Sequence, residues 1–351
     1  MKPVSAAGLL IVLSLLGCAA TVDETVSGGQ NRAAARQDKL VIAHRGASGY
    51  LPEHTLPAKA MAYAQGTQFI EQDLVMTYDD EVIVLHDHHL DTVSNVDEVF
   101  PDRSRADGRY YVIDFTLAEL RQLAVSERFR LSGGKKTAVF ERRFPLDRSS
   151  FRINTFAEEI ELIQGLNKAT GRSVGIYPEI KSPAFHLGEG KDISAAVLQI
   201  LKAYGYDQQQ DSVFLQCFDA HELQRIHGEL LPAMQMTVPL VQLLGTEPEF
   251  RATLTPEGIK TVASYATGIG PSMSLIVLPE SVAGNLKITK LVELAHDEGL
   301  LVHPYTFRRD RLPAYAASYT ELLAIFLHDI DVDGVFTDFP DLTVEFVESN
   351  L

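Results

Sequence analysis

The stretch from residue 70 to residue 87, IEQDLVMTYDDEVIVLHD, holds two β-rich runs on either side of Tyr78-Asp79-Asp80-Glu81. Aspartate pairs between alternating apolar runs favour a tight reversal, so the second run is expected to return antiparallel to the first as a hairpin. This decides the fold, because the chain shows strand-like runs at 39–45, 69–76, 81–86, 173–180, 212–218, 236–243, 267–271, 300–305 and 334–338. With 81–86 assigned as the return arm of a hairpin, eight runs remain. Helical patterns separate most of them, for example at 55–65, 155–167, 193–204, 220–230, 256–265, 288–298 and 341–348. Such alternation means parallel strands joined by helices. No GxGxxG or GxxxxGK[ST] follows a strand, which removes the nucleotide-binding form of a doubly wound sheet. The expected fold is a TIM (β/α)8 barrel.

The same stretch makes a prediction about side chains. Glu71 and Asp73 are two apart on one strand and therefore share a face. With the turn centred between Asp79 and Asp80, His86 is expected directly opposite Asp73, on the same side as both carboxylates. Residues 88–152 follow at once and are polar and turn-rich, too long for a structureless loop. They are expected to form a small inserted subdomain roofing the mouth that His86 faces, with the segment after Phe307 adding to it.

Length and composition agree with one large α/β domain: 351 residues, 46% hydrophobic, with a mean hydropathy of zero. The net charge of −16 argues against nucleic acid, whose phosphates call for an excess of Lys and Arg. At the N-terminus, Lys2 precedes the apolar run Ala6 to Leu16, too short to span a bilayer and laid out like a secretory signal. Leu15-Leu16-Gly17-Cys18 resembles a bacterial lipoprotein signal, which makes Cys18 the lipidated first residue of the mature chain. Residues 1–18 are then signal, 19–38 a tether and 39–351 the barrel. The expected location is the cell envelope, exported and lipid-anchored, facing the periplasm or at the outer membrane, with which Ala19 is compatible. Cys217 is left without a disulfide partner. The sequence leaves the oligomeric state open, a dimer included.

Polar residues then gather where a simple core would not place them. His44-Arg45 end the first run, Glu71 and Asp73 interrupt the second, His86-Asp87 end the hairpin, and Glu179 and Lys181 end the fourth. Gln216 in FLQCFD, His303 and Asp338 follow on later runs. In a (β/α)8 barrel these C-terminal strand ends form the catalytic face. Glu71, Asp73 and Glu179 offer an oxygen-rich site for a hard divalent cation, Ca2+ or Mg2+. Arg45 and Lys181 can grip a phosphate, and a guanidinium does so bidentately. His44 and His86 titrate nearest neutrality and can serve as base and acid on opposite oxygens of one phosphorus. The set points to metal-assisted cleavage of a phosphodiester.

In order along the chain, His44-Arg45-Gly46, Pro52-Glu53-x-Thr55, Glu71-x-Asp73, Leu85-His86-Asp87 and Pro178-Glu179-Ile180-Lys181 resemble the glycerophosphodiester phosphodiesterase family, and its exported bacterial branch in particular. The resemblance implies a TIM barrel with an inserted subdomain. It implies hydrolysis of deacylated phospholipids such as glycerophosphocholine to sn-glycerol 3-phosphate and an alcohol. By it, His44 and His86 are the acid/base pair, and Glu71, Asp73 and Glu179 hold the metal, usually Ca2+. Arg45 and Lys181 contact the phosphate, with Gln216 and Phe218 as further substrate contacts. The family pattern often has Asn where this chain has His54. Two other readings stay open at this point: a phosphodiesterase acting on intact lipid, and a surface lipoprotein acting mainly by binding.

Overall fold

The computed structural model describes residues 1, 39–148 and 150–350. The expected signal, the lipidated Cys18 and the tether up to residue 38 lie outside the described residues. Eleven strands occur among them: β1 (Leu40–Ala43), β2 (Phe69–Met76), β3 (Val82–Val84), β4 (Phe129–Ser132), β5 (Lys135–Ala138), β6 (Gly175–Ile180), β7 (Leu215–Cys217), β8 (Leu240–Leu244), β9 (Gly268–Pro271), β10 (Leu301–Val302) and β11 (Gly334–Thr337). Eight are parallel and run β10-β9-β8-β7-β6-β2-β1-β11. Beyond β10 the chain stays alongside β11. The Phe336 N–H donates to the Pro304 carbonyl at 3.0 Å and the Phe307 N–H to the Phe336 carbonyl at 2.8 Å. These bonds bring the sheet round into a nearly closed (β/α)8 barrel.

Strands buried on both faces read as unbroken apolar runs, and alternation then sorts their side chains into barrel and shell. Ile42, Tyr177, Val241 and Phe336 form an interior cluster, with Leu40, Phe69, Phe214 and Tyr305 packed on it. The opposite faces, including Ala43, Ile70, Leu74, Ile176 and Ile180, pack in the main core between sheet and helices. The register sets the site above the interior plug: Asp73 pairs with Glu179, and Glu179 with Gln216. Three inward-pointing polar residues therefore lie side by side on neighbouring strands.

β3 pairs antiparallel with β2 as a hairpin, but the expected register is wrong by one residue. Leu74 faces Val84 and Met76 faces Val82, so Leu85, not His86, donates its N–H to the Asp73 carbonyl at 2.9 Å. The reason is the turn. Thr77 N–H donates to Glu81 O at 3.0 Å around a three-residue loop, with Asp80 left-handed at φ 65°. A loop of that kind is centred on one residue, Asp79, where a two-residue centre was expected. His86 still reaches the pocket, because pairing ends at Leu85 and the chain turns away from the strand.

Residues 88–152 carry their own short elements and their own apolar cluster. Leu90, Val93, Val96, Tyr110, Val112, Phe115, Leu120, Leu123 and Val125 pack onto Val75, Ile83 and Leu85 of the hairpin. β4 and β5 form a separate two-stranded ribbon within it.

Candidate active site

The chain leaves β1 through a backbone that few side chains accept. Arg45 is left-handed at φ 60° and Gly46 follows at φ 87°. A Cβ on Gly46 would lie 2.8 Å from the Ala58 carbonyl carbon, at the start of helix Leu56–Ala64, so no other residue fits there. This turn aims the Arg45 N–H at Glu71 Oε2, 2.9 Å away. Thr55 caps the helix by accepting from Ala58 N–H.

A cavity of about 540 Å³ opens at the C-terminal ends of the strands. One side is ionic, with His44, Arg45, Glu71, Asp73, His86, Glu179 and Lys181, joined by Gln216 and Phe218. The other is mostly apolar, formed by Leu243, Met273, Val277, Pro313 and Tyr315 among others. The structure thus brings together every residue of the sequence-derived catalytic, phosphate and metal sets. Gln216 is held one step back: its amide donates to Glu71 Oε1 at 3.1 Å, and its side chain is buried. Phe218 lies 5.7 Å from the Lys181 ammonium, in cation–π range. His303 is elsewhere, buried against the Tyr177 hydroxyl at 3.0 Å in the barrel interior.

Both histidines have a carboxylate on Nδ1. His44 Nδ1 lies 2.6 Å from Asp338 and His86 Nδ1 2.7 Å from Asp87. Each carboxylate fixes the tautomer with the proton on Nδ1 and frees Nε2 for the cavity. His44 Nε2 lies 3.9 Å from Glu71 Oε2. Burial pulls the His44 imidazole down to about 4, with Arg45 adding to the effect against the pull of Asp338. Burial, Arg45 and Lys181 bring His86 down to about 4 as well. Burial and the neighbouring cations thus favour the neutral form of both rings near pH 7.

Glu71, Asp73 and Glu179 are buried, and each offers an oxygen within 4.8 Å of the others. Burial and repulsion from Asp73 raise Glu71 well above the ordinary carboxylate range, and the same causes raise Glu179 to about 8. Asp73 is held low against its burial by Lys181 and His54. Its Oδ1 is buried without a hydrogen bond, with the Lys181 ammonium 4.0 Å away, and a buried carboxylate oxygen is costly without a donor or a closer cation. An all-oxygen, charge-repelled cluster with an orphaned ligand atom fits a hard divalent cation.

The role of Glu53 and the arginine pairing around it are not legible in the sequence. Glu53 accepts from Arg45 at 3.0 Å and from Arg128 of the insertion at 2.6 and 3.0 Å. Arg128 also reaches Asp87 at 2.8 Å. Arg143, likewise from the insertion, and Arg308 both donate to Asp338 Oδ2 at 2.7 Å. The polar, arginine-containing segments SERFR and ERRF were the available signal. Nothing local marks which arginine turns inward.

Residues 44–342 match the glycerophosphoryl diester phosphodiesterase family. The chain belongs to this family. It is 47% identical over 330 residues to a glycerophosphodiester phosphodiesterase of Haemophilus influenzae, covering 89% of this chain and 91% of that one. A glycerophosphodiester phosphodiesterase of Treponema pallidum is 40% identical over 327 residues, covering 88% and 92%. A crystal structure from Silicibacter pomeroyi superposes with a TM-score of 0.65 at 25% identity, over 90% of this chain and 94% of that one. An Oleispira antarctica phosphodiesterase, solved with the product sn-glycerol-3-phosphate, shares the fold with a TM-score of 0.60 at 21% identity, over 88% and 96%. As a member of the glycerophosphoryl diester phosphodiesterase family, the chain is a phosphoric diester hydrolase.

Proposed function

We propose that the chain hydrolyses glycerophosphodiesters, deacylated phospholipids such as glycerophosphocholine, to sn-glycerol 3-phosphate and the free alcohol. The observation that carries this reading is the pair of carboxylate-anchored imidazoles, His44 and His86, in one cavity with Arg45 and Lys181. Arg45, oriented by Glu53, and Lys181 hold the phosphate. An anion between the two rings raises their proton affinity, so one ring can carry a proton while the other stays a base. One histidine takes the proton of the glycerol hydroxyl next to the phosphorylated one, and that oxygen attacks phosphorus. The other histidine protonates the departing alcohol oxygen. The reacting groups belong to one molecule, and such intramolecular attack reaches effective molarities on the order of 10⁵ M. Water then opens the resulting cyclic glycerol phosphate with the two histidine roles exchanged.

Glu71, Asp73 and Glu179 would hold the metal, Ca2+ in this reading with Mg2+ as the alternative. When bound, such an ion supplies charge stabilisation to the phosphoryl oxygens. The test is release of sn-glycerol 3-phosphate from glycerophosphocholine with Ca2+, with Mg2+ and with chelator. Metal-dependent release supports the reading, and no release under any condition overturns it. The apolar side of the cavity favours one competing substrate, a lysophospholipid whose acyl chain would lie against Leu243, Met273 and Val277. Faster turnover of that substrate than of glycerophosphocholine would shift the assignment.

We also propose that the chain is exported and anchored through lipid on Cys18, on the layout of residues 2–18. Triacylation supplies more than one buried chain, enough for stable attachment. Labelled palmitate is expected in the wild-type chain and not in Cys18→Ala.

A further inference from the structure

Beneath the three carboxylates runs a chain of buried polar groups that the reaction does not use. Lys59 and Glu159 are fully buried and His54 is 3% exposed. The Lys59 ammonium has three N–H donors, with two hydrogen-bond acceptors and one ion-pair partner around it. These are His54 Nδ1 at 3.2 Å, the Glu71 backbone carbonyl, and Glu159 Oε2 in an ion pair at 3.0 Å. Glu159 is held in turn by the Asn154 amide at 2.9 Å. An ammonium only donates, so the ring nitrogen facing it must accept. His54 therefore carries its proton on Nε2, and Nε2 lies 2.7 Å from Asp73 Oδ2. Oδ2 is thus occupied, with Arg45 Nε also 3.4 Å from it, while Oδ1 of the same carboxylate accepts no hydrogen bond and faces the Lys181 ammonium at 4.0 Å.

We propose that Lys59 and His54 are positioning residues for the cation site: Lys59 sets the His54 tautomer, and the His54 Nε2–H pins Asp73 so that Oδ1 is the oxygen presented to the ion. The proposal rests on the metal reading above and deepens it. His54 comes from the loop that also carries Glu53, and Lys59 from the first turn and a half of the following helix. One short segment, residues 53–59, therefore orients both the phosphate-binding Arg45 and a metal-binding carboxylate. Lys59 also ties Glu71 through its backbone carbonyl, so two of the three carboxylates depend on it. Partners that orient metal ligands in this way typically contribute about 10- to 100-fold to metal affinity.

The test is calorimetric titration of the whole chain with Ca2+ and with Mg2+, beside ¹⁵N NMR of the His54 ring. Wild-type His54 should show the Nε2–H tautomer. His54→Phe keeps ring shape without the donor and should bind the cation about 10- to 100-fold more weakly. His54→Gln restores an N–H near the position of Nε2 and should recover most of the affinity. Lys59→Met alone strands the buried Glu159 carboxylate, so the informative variant is Lys59→Met with Glu159→Gln. It should fold, lose the fixed tautomer signature and bind more weakly. An Nδ1–H tautomer in the wild type, or equal cation affinity in the wild type and a folded His54→Phe, overturns the proposal. The absence of any cation uptake by the wild type would overturn the metal reading itself, and this proposal with it.

Discussion

Strand β11 carries an aspartate–histidine pair at each end, and the two behave in opposite ways. At the mouth, Asp338 holds His44 at 2.6 Å; at the far end, Asp333 holds His296 at 2.9 Å. The hydrogen bond to Asp333 raises the His296 pKa, whereas burial and Arg45 lower that of His44 despite its carboxylate. The surroundings explain the difference. The His296 side chain keeps 35% of its surface in solvent, and His44 keeps 9% beside Arg45, with Arg308 also acting on it. A carboxylate partner does not by itself make a histidine cationic; desolvation and neighbouring guanidinium groups can outweigh it. At the mouth the pair therefore holds a neutral, oriented base. At the far end it is a small electrostatic contribution to stability.

The largest effect should come from removing the mouth imidazoles. His44→Ala and His86→Ala should each lower kcat on glycerophosphocholine by about 10²- to 10⁴-fold with little change in thermal unfolding, the loss expected for a general acid or base. Wild-type activity in either variant would remove that imidazole from the reaction. Next, Asp338→Asn should cost about 10- to 100-fold in kcat, since it removes the group that orients His44. Asp87→Asn should cost less, because the Asp87 side chain is 30% exposed and Asp338 only 2%. Asp338→Asn should also lower the melting temperature, because Arg143 and Arg308 share that carboxylate.

Glu53→Gln tests the neighbouring pair. Glu53 receives both Arg45 and Arg128, so its loss should raise KM several-fold while kcat changes less, as read from initial rates at varied substrate. The smallest effect lies at the far end. A raised folded pKa means that the His296 contribution is fully present below the ordinary value of 6.5 and is lost as pH rises through the folded value. His296→Gln should therefore reduce the melting temperature more at pH 5.5 than at pH 8.5. The effect should stay within ~1 kcal/mol for a pair this exposed. A larger loss at the alkaline end would reverse the sign assigned to the pair.

How much of this could be read along the chain varies from element to element. The hairpin at 70–87 was legible because turn-forming residues sit between two β-rich runs, and it left eight runs for the barrel. Its register was not, because a left-handed Asp80 gives no stronger sequence signal than a two-residue turn would. Glu71, Asp73, Glu179 and Lys181 were conspicuous as charges inside apolar strands, where burial without purpose is expensive. His54 stands out only as a departure from the family pattern, and Lys59 lies unmarked inside the helical pattern at 55–65. Their bonds to Asp73 and to Glu159 join segments that the linear order keeps apart.

The barrel, the order of the motifs along it and the residue types at its mouth follow from the linear chain, because strand alternation and turn chemistry are local and repeat every few residues. The partners come from long-range packing: Asp338 beside His44 across 294 positions, Arg128 and Arg143 of the insertion against Glu53 and Asp338, and Lys59 beneath the carboxylates. The physical reason is that a buried charge is stabilised by whichever opposite charge the closed barrel brings within hydrogen-bond reach, and barrel closure joins the two ends of the chain.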